Sequence, residues 1–390
     1  MKVNKWTIGL AAAGLVSLPS GAQSEEKASP LMTALSSTTI GGYVSSSVWW
    51  LPGTGNANLP TFSYGGAAKA DGFNLDVVKL SIERPLDEGQ WSAGYKADVL
   101  FGPDANGLAT TSTGTALATS DFALKQAYVA LRAPAGNGLD LKLGVWDTII
   151  GYETFDSGNN PNYTRSYGYT IEPTTHTGLL ATYQLSEMLG IAAGMANTFG
   201  PTINGRAHPP QGPKAESYKT YMGSIAFTAP ESLGFMQGST LYAGVINGFD
   251  SGVGDDRTHW YLGGTIATPV TGLKLGASLD YTKADIEAPT GNDNPYAGAY
   301  AAYLSFAASE KLSLHGRLEY ANSDTGVLGT SKVIALTGTV QYDLWKNVLS
   351  RLEARWDHSA SGDEAYGGSV LGAPTKKNNF IFAANLVYKF

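Results

Sequence analysis

From Arg351 to Asp357 the chain alternates charge and apolar bulk with a period of two. Arg351, Glu353, Arg355 and Asp357 fall on one face, and Leu352, Ala354 and Trp356 on the other. Successive side chains of a β-strand point to opposite faces, so this sorting predicts a strand with one wet and one dry side. Lys311 to Tyr320 repeats the scheme, with Lys311, Ser313, His315, Arg317 and Glu319 opposite Leu312, Leu314, Gly316, Leu318 and Tyr320. The same period marks segments near 72–84, 90–101, 122–133, 139–146, 176–186, 257–268, 273–283 and 332–344. It is weaker near 40–50, 189–199, 217–229 and 238–248, and the Ala-rich stretch 296–308 fits the same template. The final run, from Asn379, places Phe380, Phe382, Ala384, Leu386, Tyr388 and Phe390 on one face. Many of these segments have the roughly 9–11 residues that a tilted strand needs to cross a bilayer, about twice the usual soluble strand. The pattern predicts an all-β fold, a transmembrane antiparallel β-barrel of about sixteen strands.

The connections alternate in length. After even-numbered strands they are short, as at 134–138, 269–272 and 309–310; after odd-numbered strands they are mostly long, as at 51–71, 102–120, 147–175, 200–216 and 359–376. Short periplasmic turns opposite long external loops are the anatomy of an outer-membrane barrel. With both ends of the barrel in the periplasm, Trp91, Tyr183, Tyr342, Tyr388 and Phe390 fall at the inner rim. Phe101, Trp260, Tyr281, Tyr320 and Trp356 fall at the outer rim. Amphipathic rings favour both membrane interfaces, so these positions predict two aromatic girdles.

The remaining features narrow the class. Lys2 and Lys5 precede an apolar run from Ile8 to Leu18, followed by Ser20, Gly21 and Ala22, the signature of a signal peptide spanning 1–22. Residues 23–37 then form a short periplasmic segment without a heptad repeat, and 38–390 the barrel. Loss of Lys2 and Lys5 takes the formal charge from −7 to −9, which speaks against a nucleic-acid partner. Cysteine is absent, so neither disulfides nor thiolate chemistry is available. After the signal no run of eighteen apolar residues occurs, and a chain without such a run spans lipid only as a closed barrel. The five histidines, His176, His208, His259, His315 and His358, are scattered, with no clustered partners for zinc or for an activated nucleophile. No enzyme, cofactor or metal site is expected.

A barrel this wide leaves an aqueous lumen unless something fills it. Strand parity turns Lys79, Lys96, Lys142, Lys274, Lys311, Arg317, Arg351, Arg355 and Lys389 inward. The acids Glu83, Asp98, Asp140, Asp280, Glu319, Asp343, Glu353 and Asp357 face them. The candidate pore wall is Lys96, Asp98, Arg317, Glu319, Arg351, Glu353 and Arg355. Residues 147–175 form the longest loop, and long loops usually carry function. It holds Asp147, Glu153, Asp156, Glu172 and Arg165, with Tyr152, Phe155, Tyr163, Tyr167 and Tyr169.

Three stretches of this region carry a resemblance: Gly151-Tyr152-Glu153, Asn160-Pro161-Asn162-Tyr163-Thr164-Arg165-Ser166 and Pro173-Thr174-Thr175-His176-Thr177-Gly178. With Gly41-Gly42-Tyr43 and Gln126-Ala127-Tyr128, they resemble the OmpL-like group of outer-membrane β-barrel porins, and the layout is similar to sixteen-stranded general porins. The resemblance implies a water-filled channel for passive diffusion of small hydrophilic solutes and ions, with the loop folded into the lumen. Asp147, Glu153, Asp156 and Arg165 would form its constriction. Glu153 and Asp156 would face a basic wall of Arg317, Arg351 and Arg355 across the pore. A saccharide-selective channel, suggested by the loop aromatics, and a non-conducting adhesion barrel are the alternatives. Outer-membrane lipid and the barrel-assembly machinery, reading Tyr388 and Phe390 as a signal, are the expected partners. A homotrimer follows by analogy with wide porins.

Overall fold

A computed structural model describes residues 37–390 except 54–55, 90, 109, 111–119, 208–213, 286–293 and 370–371. The signal segment 1–22, most of 23–37, and His208 lie outside the described residues. The strands are β1 Thr39–Trp50, β2 Phe73–Arg84, β3 Ser92–Phe101, β4 Phe122–Ala133, β5 Leu139–Asp147, β6 Thr175–Gln184, β7 Leu189–Ala196 and β8 Thr220–Thr228. They continue with β9 Thr240–Asp250, β10 Asp255–Ala267, β11 Leu273–Ala284, β12 Tyr296–Ala307, β13 Leu312–Ser323, β14 Lys332–Trp345, β15 Val348–Ser359 and β16 Asn378–Lys389. Each pairs antiparallel with its neighbours in sequence, and β1 pairs with β16, so the sheet closes. Closure removes the exposed edges that an open sheet would leave unpaired in lipid. At the seam, Gly42 and Phe390 exchange both backbone hydrogen bonds at 3.0 Å.

The two faces separate as the alternation predicts. On β15 Leu352 is 65% exposed on the outer face while Arg351 beside it is 1% exposed on the lumenal side. Phe380, Phe382, Leu386 and Tyr388 of β16 face out, and Ile381, Ala383, Asn385 and Val387 face in. Trp91, Tyr342, Tyr388 and Phe390 stand exposed at one rim, with Phe101, Trp260, Tyr281 and Tyr320 at the other.

Three register shifts break the strict parity among the described residues: one in β14 between Asp343 and Trp345, and two bulges that change the lumenal face. Opposite Ser45 and Ser46, β2 carries Asp76 as an extra residue, and opposite Asp98 and Val99, β4 carries Lys125. An inserted residue shifts the alternation by one. Asp76 and Val77 both turn inward, as do Lys125 and Gln126. A count in twos cannot place both members of such a pair inside, which is why Asp76 and Lys125 were missing from the lumenal set.

Candidate functional site: the segment across the lumen

Residues 148–174, between β5 and β6, are rich in Gly, Asn, Pro and Tyr and carry no strand period. Local side-chain bonds give them shape instead. Asn160 accepts from the Thr154 amide at 2.8 Å and donates to its carbonyl at 2.7 Å, clasping one turn. Ser166 caps the helical turn Tyr167–Ile171 by accepting from the Tyr169 amide.

Irregular backbone at membrane depth needs partners for every N–H and C=O. The charged wall supplies them. Glu353 accepts from the amides of Tyr163 at 2.6 Å and Thr164 at 2.9 Å, and Glu319 accepts from that of Tyr167 at 2.7 Å. Arg351 donates to the Asn162 carbonyl at 2.9 Å, and Arg355 to the Arg165 carbonyl at 2.7 Å. Arg317 donates to the carbonyls of Thr164 and Arg165 and pairs with Glu153 at 2.8 Å and Glu319 at 2.7 Å. Arg355 is held in turn by Asp357, which also accepts from the Tyr167 hydroxyl.

This arrangement differs from a field spanning an open gap. Glu153 touches Arg317 directly, and Asp156 lies on another wall, salt-bridged to Lys79 at 2.9 Å. Burial alone would raise the Asp156 carboxyl, but Lys79 and Lys125 outweigh it and hold the group well below the ordinary carboxylate range. Asp147 pairs with Lys125. Arg165 is buried, donating to the carbonyls of Tyr163 and Phe155, with its guanidinium over the rings of Tyr64 and Tyr169. Asp98 accepts Lys79 at 3.1 Å and Gln126 at 3.1 Å, while Lys96 pairs with Glu83 at 2.7 Å.

Asp76 is the residue the alternation hid. Buried at 1% exposure, it accepts from Ser45, Ser47, Lys69 and the Tyr163 hydroxyl, tying the segment to β1 and β2. Its bulge left no parity signal, and the four donors come from three separate parts of the chain.

On the opposite side the contacts are apolar. Trp146, Ile149 and Ile150 pack with Leu180, Met222 and Ile246 of β6, β8 and β9. Two glycines make room: a Cβ at Gly244 would sit 2.6 Å from Ile150, and one at Gly276 would occupy the place of the Tyr152 hydroxyl. Tyr152 also stacks on Tyr303, with ring centroids 3.9 Å apart.

Between the segment and the wall of β4 and β5 a small cavity of ≈ 40 Å³ remains, lined by Lys125, Asp147, Gly151, Glu153, Phe155 and Glu172. Lumenal side chains from Asp98 on β3 through Leu180 on β6, Met222 on β8 and Asp280 on β11 to Glu353 on β15 are all buried. Below the segment lies a chamber of ≈ 380 Å³ bordered by Tyr152, Tyr242, Tyr261, Lys274, His315 and Gln341. Above it, a mouth of ≈ 440 Å³ is bordered by Pro60, Phe62, Thr170 and Val327. His176, His259, His315 and His358 sit on different strands, and no metal-holding group of three acids or histidines occurs among the described residues.

A closed sixteen-stranded barrel with an apolar belt, a charged lumen and a segment folded inside after the fifth strand defines an outer-membrane porin. The chain belongs to the family described as "Putative beta-barrel porin-2, OmpL-like", whose family model matches residues 37–390. It is a channel of the bacterial outer membrane for passive diffusion. Among solved structures it is similar to the anion-selective porin from Comamonas acidovorans, at 15% identity and TM-score 0.60, over 91% of this chain and 99% of that one. It is also similar to Salmonella typhi OmpF in complex with daunomycin, at 12% identity and TM-score 0.58, covering 90% and 97%. A third is in-vitro folded OmpT of Vibrio cholerae in a trimer form, at 11% identity and TM-score 0.52, covering 90% and 99%. At these identities the likeness is one of fold. No curated protein matches the chain.

Proposed function

We propose that this porin is gated, with residues 148–174 acting as a plug at mid-height, and that the chamber below favours uncharged hydroxylated solutes and small anions over cations. The observation that carries the gating is the two-sided grip. One wall binds the plug's backbone through Glu319, Glu353, Arg317, Arg351 and Arg355, while the other receives Ile150 and Tyr152 at glycines. The solute preference rests on the chamber, where Lys274 is the one lining side chain among the described residues that carries full charge, beside Tyr152, Tyr242, Tyr261 and neutral amides and hydroxyls. Rings of this kind cover the apolar faces of sugars, and the amides bind their hydroxyls. Glu153, Asp156 and Arg165 act in this reading as internal fasteners of the plug rather than as charges facing solute. Lipid surrounds the apolar belt, and three copies side by side fit the assembly of the Vibrio cholerae relative named above.

The chain has no cysteine, which makes a reversible lock simple to build. Asn162 of the plug donates to Thr339 of β14 at 2.7 Å. N162C/T339C, bridged by a short bis-thiosulfonate reagent, should conduct poorly in planar bilayers until reductant is added. Equal current before and after reduction would show that solute passes without plug movement.

A further inference from the structure

Where the plug's C-terminal shoulder meets β11, two carboxyl groups are buried, and neither is paired with a lysine or arginine among the described residues. Glu172 ends the helical turn Tyr167–Ile171 and is 9% exposed. Glu172 lies against Gly151, and Asp280 against Gly168, the residue whose carbonyl accepts the Glu172 amide: a Cβ at Gly151 would lie 2.5 Å from a Glu172 carboxyl oxygen, and one at Gly168 2.6 Å from Asp280 Oδ2. Asp280 is 1% exposed, and its Oδ1 lies 3.0 Å from His259 Nε2 on β10. Among the described residues Oδ2 has no N–H or hydroxyl partner, and neither has His259 Nδ1.

The other titratable groups facing this corner do not neutralise it. Tyr261 of β10 adds only a phenol. Glu153 of the plug is committed to Arg317, and Lys125 of β4 to Asp147. Two carboxylates buried around the same helical turn, with a single imidazole serving one of them, repel each other unless one keeps a proton. A protonated Glu172 is also the missing donor for Asp280 Oδ2.

We propose that Glu172 and Asp280 form a proton-operated latch: one shared proton holds the plug's shoulder against β11, and its loss to solvent frees the shoulder. This rests on the plug reading above. Burial first, and then the Asp280 carboxylate, push Glu172 well above the ordinary carboxylate range in the closed form. Once the shoulder is released, Glu172 meets water and returns towards its ordinary value. The closed form therefore binds the proton more tightly, so closure is favoured at low pH and is lost as pH rises through the raised value.

The test is KCl current through the full chain in planar bilayers, titrated from about pH 5 to about pH 8. Wild type should open with rising pH, with a limiting slope of about tenfold per unit for one proton. E172Q keeps a donor and carries no charge, so it should stay closed across the range; D280N should flatten the response as well. Heat-modifiable mobility of both variants establishes that the barrel is folded. An E172Q response that tracks wild type would overturn the latch. So would a response kept in E172Q and lost in H259Q, which would move the titration to the imidazole. If the bridged N162C/T339C variant carries the same current before and after reduction, the plug reading fails instead, so the two failures are told apart.

Discussion

The plug meets the barrel on two walls of opposite chemistry. On the side of β13–β15 it is held by hydrogen bonds from Arg317, Glu319, Arg351, Glu353 and Arg355, and most of those bonds end on its backbone. On the side of β6–β9 it is held by Ile149 and Ile150, packed with Trp146 of β5 on Leu180, Met222 and Ile246. The difference separates two tasks. Backbone bonds to fixed charges satisfy an irregular chain and set its register, because a donor or acceptor one residue out of place loses its partner. Apolar packing is tolerant of small shifts and depends on volume, so it sets how firmly the segment seats without dictating which residue sits where.

The largest effect should come from breaking the charged side. Arg317 is 1% exposed and serves Glu153, Glu319 and two plug carbonyls at once. R317A leaves two buried carboxylates without their cation, a change that costs about 3–5 kcal/mol. The sixteen-stranded backbone ladder does not depend on that residue, so the cost should fall on plug docking. Heat-modifiable mobility should persist while single-channel current at neutral pH becomes large and lasting. A variant that stays as quiet as wild type would place the grip elsewhere.

A smaller effect should follow on the apolar side. Ile150 is 5% exposed, and I150A removes its buried methyl groups at a cost of about 2–4 kcal/mol, less where neighbours relax. Here the plug keeps its backbone partners. Brief flickers to the open level are expected rather than the lasting openings of R317A. Identical gating in the two variants would erase the distinction between registering and seating walls.

Legibility in the sequence follows the same division. The alternation on β15 revealed both the strand and its inward charges, because sheet geometry repeats every two residues whatever the tertiary context. What those charges bind was hidden. Arg355 and Asp357, two positions apart, pair with each other, and from spacing alone Arg351 and Glu353 could have done the same. In the fold they reach residues 157–164, some 190 positions away. Asp76 and Lys125 were lost to bulges, which no pattern of hydrophobicity announces. Glycines 244 and 276 read as ordinary members of a Gly-rich chain; only the side chains lodged against them show that they are notches.

The smallest expected change tests the chamber rather than either wall. Lys274 stands exposed near the start of β11 and contributes the chamber's formal charge, while Arg317, Glu319, Arg351, Glu353 and Arg355 are turned to partners in the plug. K274E therefore touches neither grip, and as an exposed substitution it should alter stability by less than about 0.5 kcal/mol. Its consequence is electrostatic: a carboxylate replaces an ammonium in the vestibule that every ion must cross, and fixed charge beside a narrow path selects the opposite sign. Under a KCl gradient, wild type should show a reversal potential on the chloride side, and K274E should move it towards potassium with gating unchanged. High salt should shrink the difference, because screening shortens the reach of an exposed charge. A reversal potential that ignores the substitution would mean that the buried arginines govern selectivity after all, and that the open plug exposes the charges it covers when closed.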